Sequence, residues 1–293
     1  MAFVFLSKIS LMLYLILSVI CSVSVGVIFK IARNKETNAK QIVLFNYVFA
    51  LVLCLLVFSP EVTALNNEIP IFLYLGLGIL LPVVFMFLIV SIKNIGIVKT
   101  DAAQRLSLFV SILAAWLLFG EQFVLVKLIG IGIGFAALFC VLNKTSENQN
   151  RALKYPVLVF LGFGLIDILF KKVAAFTAVP YTTSLLVVFG IALFLMFAVV
   201  LYEKLRLGIG FEAKNLLFGF FVGCFNFGNI LFYLKAHQIY SSHPSTVFAG
   251  MNMGVILLGS LVGVIAFKEK LSKLNYFGLV LALFSIAFIV LSA

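Results

Sequence analysis

The chain has 293 residues, of which 64% are hydrophobic and only 11% charged, with a mean hydropathy of +1.26. A soluble domain carries about 25% charged residues, so this composition excludes a water-soluble globular protein and points to a polytopic membrane protein. The net charge of +11 would suit a nucleic-acid binder, but the bases are spread through short links beside apolar runs, where they set membrane orientation; the expected partner is the lipid bilayer, not nucleic acid.

Ten apolar runs follow one another along the chain, at 9–29, 41–58, 70–91, 101–119, 124–142, 155–173, 181–202, 214–235, 244–267 and 273–292. Each approaches the roughly 20 residues that cross a bilayer as a helix, and the links between them leave no room for a soluble domain. The first run, behind Lys8, has the outline of a signal peptide; it is retained as a helix because the repeat described below needs it. Cys21, Cys54, Cys140 and Cys224 lie inside runs without metal-ligand spacing and read as small packing residues. Pro82 should bend the third run. Thr100 or Asp101, with Gln104 behind, has the pattern of a cap on the fourth, and Asp101 and Arg105 are spaced to pair across one turn. Gly130, Gly132 and Gly134 in the fifth run, and Gly219 and Gly223 in the eighth, predict close helix approach inside the bundle.

Most of the 21 Lys and Arg fall in the links after odd-numbered runs, among them Lys35, Lys40, Arg151, Lys204, Lys214 and Lys270. That bias places those links in the cytoplasm and both termini outside.

The breaks before the fifth and tenth runs are alike. Phe119-Gly120-Glu121 with Gly130 recurs as Phe267-Lys268-Glu269 with Gly278 at one common offset, and the first and sixth runs close on Phe29-Lys30 and Phe170-Lys171. Each half holds five helices, and an odd number makes the second half enter from the opposite face. The predicted fold is an all-α polytopic membrane protein of ten transmembrane helices, built as two inverted five-helix repeats over residues 1–148 and 149–293.

In these features the chain resembles the EamA-type branch of the drug/metabolite transporter superfamily. The residues that carry the resemblance are Phe119-Gly120-Glu121 with Gly130, Phe267-Lys268-Glu269 with Gly278, and the helix-end Lys30 and Lys171. It implies a multi-pass carrier of the plasma (inner) membrane for amino-acid-like solutes or organic cations, commonly an exporter, working by alternating access. Relatives are drawn with both termini inside and a basic loop after the second helix. Here that loop, 59–69, has two Glu and no base, so the charge bias and the family habit disagree on orientation.

Charge inside a span costs about 2.5–3.5 kcal/mol on insertion scales and asks for a reason. Asp167 is the sharpest case, an acid near the middle of the sixth run. It reads either as a proton or cation site or as half of an internal pair with Lys171, one turn on. Lys171 and Lys30 read as helix-end snorkels or as contacts to an anionic group. Asn46, Ser107, Asn226, Asn229 and Asn252, with Ser22, Ser24, Ser111, Thr182, Thr183 and Ser184, form a softer polar set that lines a pathway or joins helices. Glu121 and Glu269 read as caps on the helices that follow them.

A secondary transporter of a small molecule, possessed of a proton-coupling option at Asp167, fits this set best. The alternatives are an intramembrane enzyme, which would want clustered nucleophiles and bases, and a sensor or scaffold without transport. Two His without a third ligand predict no metal site, no Walker-type loop is present, and no cofactor is expected. The unit is a monomer or a homodimer.

Overall fold

The computed structural model describes residues 2–33, 35–61, 69–95, 97–142, 154–268 and 272–291. All regular structure among them is helical: α1 (Ala2–Arg33), α2 (Ala39–Phe58), α3 (Ile71–Ile95), α4 (Ile97–Leu106), α5 (Leu108–Leu117), α6 (Leu125–Leu142), α7 (Lys154–Ala175), α8 (Tyr181–Leu207), α9 (Ala213–Ile239), α10 (Pro244–Phe267) and α11 (Lys273–Leu291). Six of them are long and apolar enough to cross a bilayer outright. Helices are what hydrocarbon demands, since each backbone donor must find its acceptor within the segment. The chain is a multi-pass integral membrane protein.

The helices make ten passes, with α4 and α5 together forming the fourth. The predicted fourth run, 101–119, differs in two ways. It is helical from Ile97, so Thr100 lies inside α4 and does not cap it; its hydroxyl instead shares a 2.7 Å hydrogen bond with Ser91 across the α3–α4 hairpin. It is also interrupted at Ser107. Here the Ser107 hydroxyl donates back to the Gln104 carbonyl, and the Ser111 hydroxyl donates to the Ser107 carbonyl at 3.3 Å. Hydroxyls that compete for ladder carbonyls loosen a helix at that turn. The side chain of Asp101 lies outside the described residues.

Successive passes run in opposite directions, which gives the bundle two ends. One, the termini end, holds the start of α1, the end of α11 and the turns α2–α3, α5–α6, α7–α8 and α9–α10. The other, the basic end, holds the remaining links. The main pairings are α1 with α9 and α10, α2 with α8 and α9, α3 with α7 and α8, and α6 with α11. Exchanging the first five passes with the last five maps α1–α9 onto α3–α7 and α2–α9 onto α3–α8, and leaves α2–α8 and α6–α11 in place. The two halves therefore interleave around one core.

Small residues set the closest contacts. A Cβ on Gly223 would meet Phe49 at 2.8 Å, and one on Gly219 would strike Phe45, so α9 rides directly on α2. A Cβ on Gly130 would meet Ile289 at 2.8 Å, and one on Gly134 the Ser285 hydroxyl at 2.7 Å, which joins α6 to α11. Both stripes face inward, as predicted; Gly132 has nothing within 4 Å.

A polar clasp closes α2, α8 and α9 at the basic end. Asn38 caps α2, accepting from the Lys40 amide at 2.9 Å, while its own amide donates to Glu203 at 3.4 Å. Lys40 forms an ion pair with Glu203. Gln41 donates to the Gly210 carbonyl at 2.8 Å and accepts from Asn215 at 2.8 Å.

Candidate functional site

Close approach of α7 to α3 and α5 creates the central site. A Cβ on Gly162 would collide with Val84 of α3, and one on Gly164 would meet Val110 of α5 at 2.6 Å. With α7 pressed this near, Asp167 reaches α5, just past the interruption at Ser107. Its Oδ2 accepts from the Ser111 hydroxyl at 2.7 Å, and its Oδ1 from the Tyr233 hydroxyl of α9 at 2.9 Å. Three passes thus converge on one partly buried carboxylate, and both of its bonds come from neutral hydroxyls.

The predicted pair between Asp167 and Lys171 does not form. Lys171 is buried and donates instead to the Ser241 carbonyl at 2.7 Å, in the α9–α10 turn at the termini end. Its ammonium also lies 5.9 Å from the Phe119 ring. The physical reason is local: the turn after α9 offers Lys171 the Ser241 carbonyl, of the kind that helix termini leave unpaired, while the carboxylate accepts from two hydroxyls instead.

Glu121 departs from its predicted role as well. Gly120 takes a positive φ of 64° and turns the chain back after α5. Glu121 then caps α10 from the other half rather than α6, the helix that follows it. Its Oε2 accepts from the Ser245 amide at 2.8 Å, and its Oε1 from the Ser245 hydroxyl at 2.6 Å and from Lys127 at 2.7 Å. The side chains of Glu121 and Lys127 are each 1% exposed. The first turn of α10 carries unpaired amides and a positive dipole end, which draws the carboxylate across the bundle. Glu269 lies outside the described residues.

The remaining predicted residues fall into separate places. Asn226 donates to Asn46 at 3.0 Å, joining α9 to α2, while the Asn46 amide group itself has no hydrogen-bond partner. Asn229 accepts from the buried Ser18 hydroxyl of α1 at 2.7 Å. Asn252 donates to the Phe248 carbonyl of its own helix at 3.0 Å. Ser107 marks the interruption of the fourth pass. Lys30 sits over the Phe267 ring, 3.9 Å from its centre, near the basic end and away from Asp167. Among the described residues no three His, Cys, Asp or Glu converge on one point. A cavity of about 520 Å³ between α5 and α6, walled by Ile112, Trp116, Phe123 and Phe135, is mostly apolar, with Gln122 and the Trp116 indole N–H as its hydrogen-bonding groups, and contains none of these residues.

Two residues of the site escaped the sequence reading. Tyr233 was not singled out, and His237 was weighed only as a metal ligand. The signal was present: Asn226, Asn229, Tyr233 and His237 step by three and four residues and form one polar stripe along α9. His237 is fully buried, and both of its ring nitrogens lack a hydrogen-bond partner. It packs edge-on to Tyr233, ring centres 4.7 Å apart, and to Phe248 of α10 at 4.8 Å.

Comparison with known proteins adds three findings. The profile of the EamA-like transporter family matches residues 9–143. An uncharacterized protein of Haemophilus influenzae (strain ATCC 51907 / DSM 11121 / KW20 / Rd) is 40% identical over 284 residues, which is 93% of this chain and 95% of its own length. A protein of known crystal structure superposes with a TM-score of 0.66 at 14% identity, over 97% of this chain and 94% of that one; the likeness is one of fold.

Proposed function

The chain belongs to the EamA-like transporter family, within the drug/metabolite transporters, and from that premise we propose that it is a proton-coupled secondary exporter of small metabolites bearing an amino or other cationic group. The family is not enzymatic in general. The observation that carries the finer reading is the setting of Asp167: a carboxylate at the meeting of α5, α7 and α9, held by two neutral hydroxyls and, among the described residues, by no cation. A buried acid without a fixed counter-charge can exchange a proton for a cationic ligand, which a salt-bridged acid does not do readily.

The junction of α4 and α5 in the fourth pass supports the same reading, because the turn from Ser107 to Ser111, with Ser107 still right-handed helical, brings the Ser111 hydroxyl to Asp167. The working units are the repeats 1–148 and 149–293, and the exchange-symmetric pairing of helices agrees with that division. Contacts between α7 and α9, namely Asp167 with Tyr233 and Phe170 with Tyr233, lie toward the termini end. There, residues Pro244–Gly250 of α10 are all buried, whereas its last turns are largely half-buried or exposed. We read this conformer as closed at the termini end.

The test is flux into proteoliposomes that enclose a pH dye, with a panel of amino acids and organic cations, wild type beside Asp167→Asn. A substrate-dependent pH change that the variant lacks is the expected result. Flux of equal size and equal pH profile in both would overturn proton coupling at Asp167.

A further inference from the structure

The group that this mechanism leaves unused is His237. It lies one turn beyond Tyr233, at the termini end of α9, with no exposure to solvent. Neither ring nitrogen has a hydrogen-bond partner, while aromatic rings from α9 and α10 pack against its edges. Lys171 of α7 is near enough for its charge to act on the ring. Behind that lysine stand Glu121 and Lys127, with His243 at the head of α10. Asp167, on the far side of Tyr233, completes the charged groups facing this region from α7, and Tyr240 follows on α9 itself.

An imidazole always has one donor and one acceptor to satisfy, and two donors when protonated. Leaving both unsatisfied inside the packed bundle is costly, and an imidazolium there would also be a buried cation near an ammonium. The closed end therefore accepts this side chain only in its neutral form. Opening the same end would admit water to both nitrogens and let the ring take a proton.

We propose that His237 is a second proton-binding site, loaded from the termini-side compartment when that end opens and emptied when it closes. The proposal rests on the alternating-access reading but not on Asp167 as the coupling acid. By linkage, a proton that binds only the open form shifts the population toward it. Acid on the termini side therefore favours opening at that end, over the range near pH 6.5 in which a hydrated imidazole titrates.

The experiment follows opening directly, without substrate or flux. A reporter cysteine, Ala249→Cys, is placed on the buried face of α10 beside Phe248, with the four natural cysteines replaced by alanine. It is then exposed to a membrane-impermeant thiol reagent from pH 8 to pH 5.5. Thiol chemistry alone slows as pH falls, because the thiolate is the reactive form. Labelling that instead rises several-fold toward acid, and does so no longer in His237→Gln, is the expected result. An identical acid response in His237→Gln, or labelling that only falls, would overturn the proposal.

Should His237→Gln fail to fold, the native ring supplies the answer. The chain has only two histidines, so 15N-histidine spectra assigned with His243→Asn report on His237 alone. A neutral population that gives way to a protonated one between pH 8 and pH 5 supports the proposal, and a ring neutral throughout overturns it. Since neither readout involves transport, failure here leaves the exporter reading intact, and absence of flux leaves this one intact.

Discussion

Glu121 and Asp167 are both carboxylates within an apolar bundle, and their surroundings differ in kind. Glu121 has a lysine, a hydroxyl and the first turn of a helix from the other half. Its position ties the α5–α6 break to α10. Asp167 has two hydroxyls and, among the described residues, no cation. The first arrangement is a clamp, with its charge matched in place. The second leaves one charge unmatched where three passes meet, and an unmatched charge is what a carrier needs if a proton and a cationic ligand are to take turns.

That contrast predicts opposite mutational phenotypes. The largest effect on stability belongs to the clamp. Lys127→Met strands a buried carboxylate and should cost about 3–5 kcal/mol, the usual penalty for removing one partner of a buried pair. Thermal unfolding in detergent would read it, and the double variant Glu121→Gln, Lys127→Met should recover part of the loss. A change below about 1 kcal/mol for Lys127→Met would make the pair as weak as a surface one.

Asp167→Asn should do the reverse. The amide keeps the side-chain shape and one acceptor, so stability should change by about 1 kcal/mol or less, while substrate-driven proton movement disappears. A variant that is strongly destabilised but retains coupling would reverse the assignment of the two carboxylates.

The hydroxyls that hold Asp167 come next. Tyr233→Phe and Ser111→Ala each remove one bond to a charged group, worth about 1.5–3 kcal/mol, and each should lower flux by about tenfold or more. In an Asp167→Asn background neither should lower it further, because the hydroxyls act through the carboxylate. Additive losses in a double-mutant cycle would give Tyr233 or Ser111 a separate role.

Much of this was legible in the sequence. Apolar runs of bilayer length gave the passes, and the repeated Phe-x-Glu break and its glycine gave the family. The inward glycine stripes were readable because small residues at helical spacing have few other uses in a bundle. Partner choice was not readable. Spacing of i,i+4 brings Lys171 within reach of Asp167, but the sequence carries no trace of the Ser241 carbonyl that competes for it. A Glu before a helix looks like that helix's own cap; that Glu121 serves α10 instead depends on how the halves interleave. The interruption at Ser107 depends on hydroxyl rotamers, and run length alone hid it. The stripe from Asn226 to His237 was readable in full, since its steps of three and four residues keep to one helix face.

The smallest predicted effect applies the same contrast to two amides. Asn226 donates to Asn46 across α9 and α2 and is 7% exposed. Asn252 bonds only to the backbone of its own helix and remains partly exposed. Asn226→Ala leaves the Asn46 oxygen buried without a donor, so it should cost about 1–3 kcal/mol of stability. Asn252→Ala loses a local bond that a helix does not need, and alanine is the better helix former, so its stability should stay within about 0.5 kcal/mol of wild type. If Asn252 meets substrate, its loss should instead raise KM by up to about tenfold, the equivalent of one hydrogen bond of roughly 1.4 kcal/mol. An unchanged KM would remove Asn252 from the pathway.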